Sequence, residues 1–406
     1  MVNMTATVVG GGIAGLAAAV SLAHAGWTTT VLERSAAFDE LGAGVALPRN
    51  GITALRALGF DDEKIAAIAH ETTATGFRDF RGRRILRIPD ERPDVRRVAT
   101  VWGVHRARLH AALRAAADAA GVRLIAGARV AEVRPGSVGG EPATVSWRSD
   151  DDEQVIESDI VVGADGMWST VRDQVFPGTR PRYSGSTSWR AVVPDTSSDG
   201  RLMEFWGPGT EFGAMRVSDS ELYWYGYFRC PEHTTFEDEL AAARDHFAGW
   251  DPRAVELVAA TSASRLMRHD VHHLPGGLPT YTRGRVVMIG DAAHAALPSN
   301  GQGAATALED GVCLGRIVGG PVAGSAELAS GLVAFDAARR PRCHSIARQA
   351  TLMARYGADL GGGWRQVVRN SLLRLVPAAA LTRSWAPSTE WQPPAPAAAR
   401  ETKPAR

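Results

Sequence analysis

The stretch TATVVGGGIAG, residues 5–15, read together with TTTVLER at 28–34, decides the fold of this chain. Residues 6–9 are an apolar, β-prone run, Gly10 to Gly12 is a turn, and Ile13 to Ala25 is an Ala/Leu-rich helix that Gly26 ends. Thr28 to Leu32 is a second buried strand. Two such strands joined by a crossover helix predict a doubly wound, Rossmann-like α/β sheet. Gly10 allows the tight turn, Gly12 lets backbone approach a pyrophosphate, and Gly15 lets helix and strand pack closely. Ile13 and Ala14 open the helix, whose free N–H groups favour anions. Glu33, 18 residues past Gly15, can accept from ribose hydroxyls, with Arg34 beside it. This predicts a bound dinucleotide, without telling FAD from NAD.

Further along, Arg106–Ala120 has helical spacing, Val122–Ile125 and Ala128–Arg134 (with Val130) read as strands, and Asp159–Gly163 is another buried strand. From about Tyr183 to Phe228 the helical period disappears. Short runs rich in Trp, Tyr, Phe and Val, at 189–193, 202–206, 212–217 and 222–228, predict an antiparallel sheet. Phe236–Gly249 is helical again, 286–289 is a third buried strand, and helices fit 304–317, 333–350 and 364–376. The expected organisation is a discontinuous nucleotide domain (1–75, 100–180, 275–345) and an inserted β-sheet substrate domain (76–99, 181–274). C-terminal helices (346–385) and a disordered Pro/Ala-rich tail (386–406) follow.

Two further segments choose the cofactor. DIVVGADGMWSTVR, residues 159–172, carries Asp165, Gly166 and Arg172, and GRVVMIGDAAH, residues 284–294, runs on to Pro298, Gly301, Gly303, Ala304, Glu309 and Asp310. Both resemble the fingerprints of the FAD-dependent aromatic monooxygenases of the para-hydroxybenzoate and salicylate hydroxylase type. The likeness extends over about residues 5–380, its middle closest to salicylate-, urate- and alkylquinolone-hydroxylase-like members. It implies that Asp291 binds the FAD ribitol, that Pro298 and the Gly301–Gly303 backbone lie beside the isoalloxazine, that Asp165 and Arg172 serve flavin and nicotinamide donor, and that Arg106 contacts the FAD phosphates. His294 is expected to order its loop rather than act as a base. It further implies a single-component enzyme in which NADH or NADPH docks transiently and reduces FAD. O₂ then forms a flavin hydroperoxide that hydroxylates an aromatic or flat heteroaromatic molecule. Epoxidation, ring-expanding oxygen insertion, a non-oxygenating reductase or cyclase, and a non-catalytic flavoprotein are the competing readings. A plain NAD dehydrogenase is disfavoured by the 284–303 segment.

The aromatic sheet is expected to supply the substrate pocket from Trp189, Trp206, Phe212, Met215, Tyr223 and Tyr225. Arg190, Tyr223, Tyr225 and Arg49 are the catalytic candidates. Alternation puts Tyr223 and Tyr225 on one side of their strand and Trp224 on the other, and the tyrosine side is expected to face the flavin. His269, His272 and His273 read as a solvated loop, and no metal is expected. In 364–376 the apolar residues Trp364, Val367, Val368, Leu372, Leu375 and Val376 share one face. That face is expected to dock on the domain, a membrane-surface helix being the alternative.

A net charge of +1 gives no reason to expect nucleic acid or firm membrane association. Three scattered cysteines, no leader and no long apolar run suit a cytoplasmic monomer or homodimer.

Overall fold

The computed structural model describes residues 4–38, 43–149, 152–195, 200–357 and 359–396. A six-stranded sheet forms its centre, in the order β17 (Thr282–Arg283), β18 (Val286–Met288), β11 (Ile160–Gly163), β1 (Thr5–Val9), β2 (Thr28–Leu32), β7 (Arg123–Ile125). All its pairings are parallel except β17 with β18, so Val8 lies between Val31 and Val162. The inner strands β1, β2 and β11 are buried almost end to end because helices cover both faces. Helix α1 (Ile13–His24) is almost wholly buried. Gly15 makes that possible, since a Cβ there would sit 1.9 Å from the Gly10 carbonyl oxygen. A small antiparallel sheet of β8 (Arg129–Arg134), β9 (Ala143–Ser149) and β10 (Asp152–Ser158) flanks this core.

The second large sheet runs β16 (Met267–His273), β12 (Arg182–Pro194), β15 (Glu221–Arg229), β14 (Thr210–Ser218), β13 (Leu202–Gly207), β4 (Ala69–Asp79), β6 (Thr100–His105), β3 (Gly44–Pro48), with β5 (Arg84–Arg87) beside β4. The histidine segment at 269–273 is therefore a strand paired with β12, not a loop. Alternation gives this sheet two unlike faces. On its back, Trp189, Phe205, Phe212, Trp224 and Phe228 pack with Phe247, Leu257 and Val258 of α2 (Glu239–Phe247) and α3 (Pro252–Ala259). Its front looks toward the nucleotide-binding half, and Gly44 of β3 abuts the Tyr223 ring.

Helices α4 (Gly303–Cys313), α5 (Leu328–Tyr356), α6 (Trp364–Arg374) and α7 (Ala378–Thr389) complete the chain. Two expectations fail here. The exit from α7 is ordered: Arg342 donates to the Pro387 and Ser388 carbonyls, Arg316 to that of Pro394, at 2.7–2.8 Å, and Trp391 packs on the main core. Residues 397–406 lie outside the described residues. And α6 lies with its apolar stripe outward, Trp364 being 72% and Leu375 78% exposed, while Arg369 is the buried member.

Candidate active site

The first cleft opens at the C-terminal ends of β1, β2 and β11. Gly10, Gly11, Gly12, Glu33, Arg34, Arg106, Val130 and Asp165 line it. A Cβ on Gly12 would meet nothing within 4 Å, so the open space begins at the backbone itself. Helix α1 has neither a side-chain cap nor an acid in its first turn, which leaves its N–H groups to an anion. Glu33 accepts from the Gly11 and Ser35 amides at 2.7 and 2.8 Å, so the acid also holds the glycine turn in shape. A dinucleotide pyrophosphate and ribose fit this set of donors and acceptors.

Asp165 is half-buried at the cleft wall, and desolvation pushes its carboxyl above the usual range. It accepts from Ser169 Oγ at 2.5 Å and from the Val171 amide at 3.1 Å. Arg172 is 1% exposed and donates to the Met167 and Ala292 carbonyls. Buried in this way, it ties one cofactor loop to the next instead of facing an incoming nicotinamide.

The 290–303 loop is the second half of the site. Asp291, His294, Gln302 and Gly303 line one small cleft, and the space beside Gly303 is open. Pro298 starts a 3₁₀ turn, Gly301 closes it at φ 63°, and Ala304 follows on the uncapped first turn of α4. Such free N–H groups suit a ring edge that gathers negative charge. A buried ionic lattice holds the loop. Asp310 accepts from Gly290 N, His294 Nε2 and Arg339 Nε at 2.6–2.9 Å. Glu309 accepts from Arg339, Arg342 and Asn50, and Asn50 also donates to Gln302. Burial pushes Asp310 up, but His294 and Arg339 pull harder and bring it down to about 2. Burial likewise opposes a charge on His294, and Cys343 and Asp310 outweigh it. His294, Asp310 and Cys343 lie close enough to hold a metal. Both Asp310 oxygens are already committed, however, so the cluster acts as a lock on the loop.

The front of the large sheet faces this loop. Ala46 of β3 meets Gly301, and Tyr227 and Ala296 both pack against the cluster that contains Leu297. Strand register sets two rows of side chains on this face: Glu204, Gly213, Tyr225, Arg190, Met267, and beside it Trp206, Glu211, Tyr227, Ser188, His269. Because Gly213 has no side chain, Tyr225 lies across it and donates to Glu204 Oε1 at 2.9 Å. Arg190 donates to Tyr227 Oη at 3.0 Å and to Ser188 Oγ at 2.8 Å. Burial raises Glu204 to about 7, Tyr225's hydrogen bond working against the rise. Glu211 is raised well above the carboxylate range by burial, by Glu204 and by Asp359. Tyr225 is held far above 10 by burial and by the two glutamates.

Of the residues expected to line the pocket, Tyr223, Tyr225 and Arg190 stand on this face. Met215 shares it but is sealed beneath Gly103 of β6, at 1% exposure. Trp189 and Phe212 are corrections: odd positions on β12 and even positions on β14 point to the back, where both rings are core. Trp206 is another, stacked on Phe77 at 4.1 Å and capped by Arg369 at 5.0 Å. Arg49 is exposed on the first turn of its helix. The sequence reading missed Glu204, Glu211, Tyr227 and Ser188. Only Tyr227 carried a signal, the strand parity of Tyr225; Glu204, Glu211 and Ser188 join it through cross-strand register.

Residues 3–350 match the family model described as FAD binding domain. Aurachin C monooxygenase/isomerase of Stigmatella aurantiaca is 32% identical, with 92% of this chain and 94% of that protein covered. The 2-heptyl-3-hydroxy-4(1H)-quinolone synthase of Pseudomonas aeruginosa is 33% identical, covering 94% and 96%. Klebsiella pneumoniae HpxO, solved with FAD and uric acid, is 26% identical with a TM-score of 0.82 over 95% of this chain and 97% of that one. No described helix is long and apolar enough to cross a membrane. With two cofactor loops and an aromatic sheet set against them, the chain belongs to the FAD binding domain family and is an FAD-dependent monooxygenase.

Proposed function

We propose that the protein hydroxylates a flat N-heteroaromatic of the 4-quinolone kind, at a carbon made electron-rich by loss of a ring proton. One observation carries the reading. A carboxyl held near neutrality, Glu204, and a fixed cation, Arg190, share the flavin-side face of one sheet, three strands apart. Strand spacing puts them about 14 Å apart at the backbone, with the Tyr225 ring lying between them as a surface on which a flat ring can stack.

Glu204 Oε1 is occupied by the Tyr225 hydroxyl. Its other oxygen is left to take a proton from a ring N–H or O–H, and a base titrating near 7 is matched to that task at neutral pH. Arg190, steadied by Ser188 and Tyr227, stabilises the negative charge that then spreads to the ring oxygen. The residues around Gly12 and Gly303 would hold FAD, which, when bound and reduced by NADH or NADPH, would supply activated oxygen. The protein's own part is to orient the ring and exclude water. One relative supports the choice of ring, being named as a 2-heptyl-3-hydroxy-4(1H)-quinolone synthase.

The test is a spectral titration of the yellow protein with 2-alkyl-4-quinolones, urate and hydroxybenzoates, followed by turnover under ¹⁸O₂ with each nicotinamide. The expected result is tightest binding and fastest NAD(P)H oxidation with the quinolones, with one labelled oxygen in the product. Equal stimulation by all three classes, or label arriving only from water, overturns the reading.

A further inference from the structure

Helix α6 is turned the wrong way for a helix that only serves the core. Trp364, Val367, Val368, Leu372 and Leu375 are 72%, 66%, 47%, 62% and 78% exposed. At about 100° per residue they cover an arc of about 140°. Arg365 and Arg374 border that arc, one on each side, and both are exposed. The opposite face docks: Leu373 and Val376 join Phe77, Ile85 and Leu86, and Arg369 donates to the Tyr356 and Gly357 carbonyls. The outward stripe is therefore not a misplaced core face, because the helix has a second apolar edge that does the packing. The adjoining end of α5 leaves Leu352 and Tyr356 more than half exposed, with the Arg355 guanidinium 5.8 Å from the Tyr356 ring.

We infer that α6 is a docking surface for an anionic lipid bilayer, lying in the plane of the headgroups without crossing. Charge decides between lipid and a second copy of the chain. Residues 337–389 contain nine arginines and one carboxylate, Asp359. Among the described residues, Arg348, Arg355, Arg365, Arg374 and Arg383 form no ion pair with a carboxylate. A two-fold contact through this stripe would set arginine borders against arginine borders with no acid to answer them. An anionic headgroup layer answers both borders at once, while the apolar arc enters the acyl boundary. The surface is also coupled to the substrate sheet. Arg369 of α6 lies over the Trp206 ring, and Trp206 is the cross-strand neighbour of Glu211. A membrane-seated α6 thus puts the substrate sheet beside the phase in which a long-tailed heteroaromatic dissolves.

The test uses the full-length, FAD-loaded chain and vesicles of phosphatidylcholine alone or mixed with phosphatidylglycerol. Co-flotation with the mixed vesicles is expected, weaker by about tenfold on phosphatidylcholine alone. The double variant Val367→Glu/Leu372→Glu should lose co-flotation by about tenfold or more, keeping its FAD and its melting temperature because both positions are exposed. Arg365→Gln/Arg374→Gln should lose the preference for the anionic mixture. Wild type left unbound by the mixed vesicles, or a glutamate variant that floats undiminished, overturns the inference. So does a concentration-dependent dimer that the glutamate variant abolishes, since that gives the face to a second copy. No substrate is present in these measurements, so their outcome is independent of the proposed chemistry.

Discussion

The two faces of the large sheet come from the same strands and differ in one residue step. On the back, Trp189 stacks on Phe228 at 4.1 Å, and Phe212 stacks on Trp224 at 5.4 Å. On the front, the rings of β15 are tyrosines: Tyr227 accepts from Arg190, and Tyr225 donates to Glu204. Aromatic density therefore does not mark the site. Apolar aromatics identify the face that α2 and α3 cover. The working face is identified by polar groups kept at positions a core would fill with valine, at a desolvation cost that stability alone does not justify.

The largest effect should come from Glu204→Gln. It keeps shape and loses the proton acceptor, so kcat/KM for the quinolone should fall by about 10²–10⁴. Stability should move the opposite way. The Glu204 carboxyl has a raised pKa in the fold, so the native state binds its proton more tightly than the unfolded chain does. Its contribution is favourable at low pH and is lost as pH rises from the ordinary 4.5 through about 7. Glu204→Gln should therefore unfold at higher denaturant than wild type at pH 8, with the gap closing at pH 5. A variant that is both inactive and less stable at pH 8 would make Glu204 a structural residue.

Trp224→Ala tests the other face. The ring is fully buried, its indole N–H donates to Thr261 at 2.9 Å, and removal should cost about 3–5 kcal/mol in urea unfolding. The fraction that stays folded should keep a kcat/KM within a few-fold of wild type. If activity per folded molecule collapses with it, the two faces are not separable.

Much of this was legible in the chain. The GxGxxG turn, Glu33 and the 284–303 segment announced the nucleotide half because Gly10, Gly290 and Gly301 hold positive φ and Gly15 has no room for a Cβ, demands that are met within a few residues of chain. The four aromatic strands were legible too, since period-2 alternation is a local signal. Which face was the working one could be reached only as far as Tyr223 and Tyr225. The partners of those tyrosines are set by register between strands distant in sequence, and Glu204 reaches Tyr225 only across the empty position at Gly213. Trp189 and Phe212 were misplaced for the same reason: a ring's parity is readable along a strand, but its covering helix is not. The inward turn of Arg369 on α6 overrode a helix pattern that by itself predicts burial of the apolar stripe.

A smaller effect is expected from Arg190→Gln, which keeps a donor and loses the charge. A charge-assisted hydrogen bond is worth about 1.5–3 kcal/mol, so substrate Kd in the spectral titration should rise by about 10- to 100-fold. The change should be confined to ligands that carry an ionisable N–H or O–H. An equal loss with a neutral N-methyl analogue would mean that Arg190 merely shapes the cavity.

Tyr225→Phe should have the smallest effect and reports most finely on the dyad. The hydroxyl donates to Glu204 and favours its ionised form. Without it the carboxyl is harder to ionise, so the acid limb of the kcat/KM profile should move to higher pH. One hydrogen bond of about 1 kcal/mol corresponds to a little under one pH unit. The plateau at high pH should fall only slightly, because Glu204 still takes the proton once ionised. The back-face control is Phe228→Leu, three residues further along the same strand β15 and pointing to the other side, which should leave the limb in place. A limb that moves equally in both variants would locate the titration outside the Glu204–Tyr225 pair, whereas a shift in Tyr225→Phe alone ties the pH dependence of turnover to one face of one sheet.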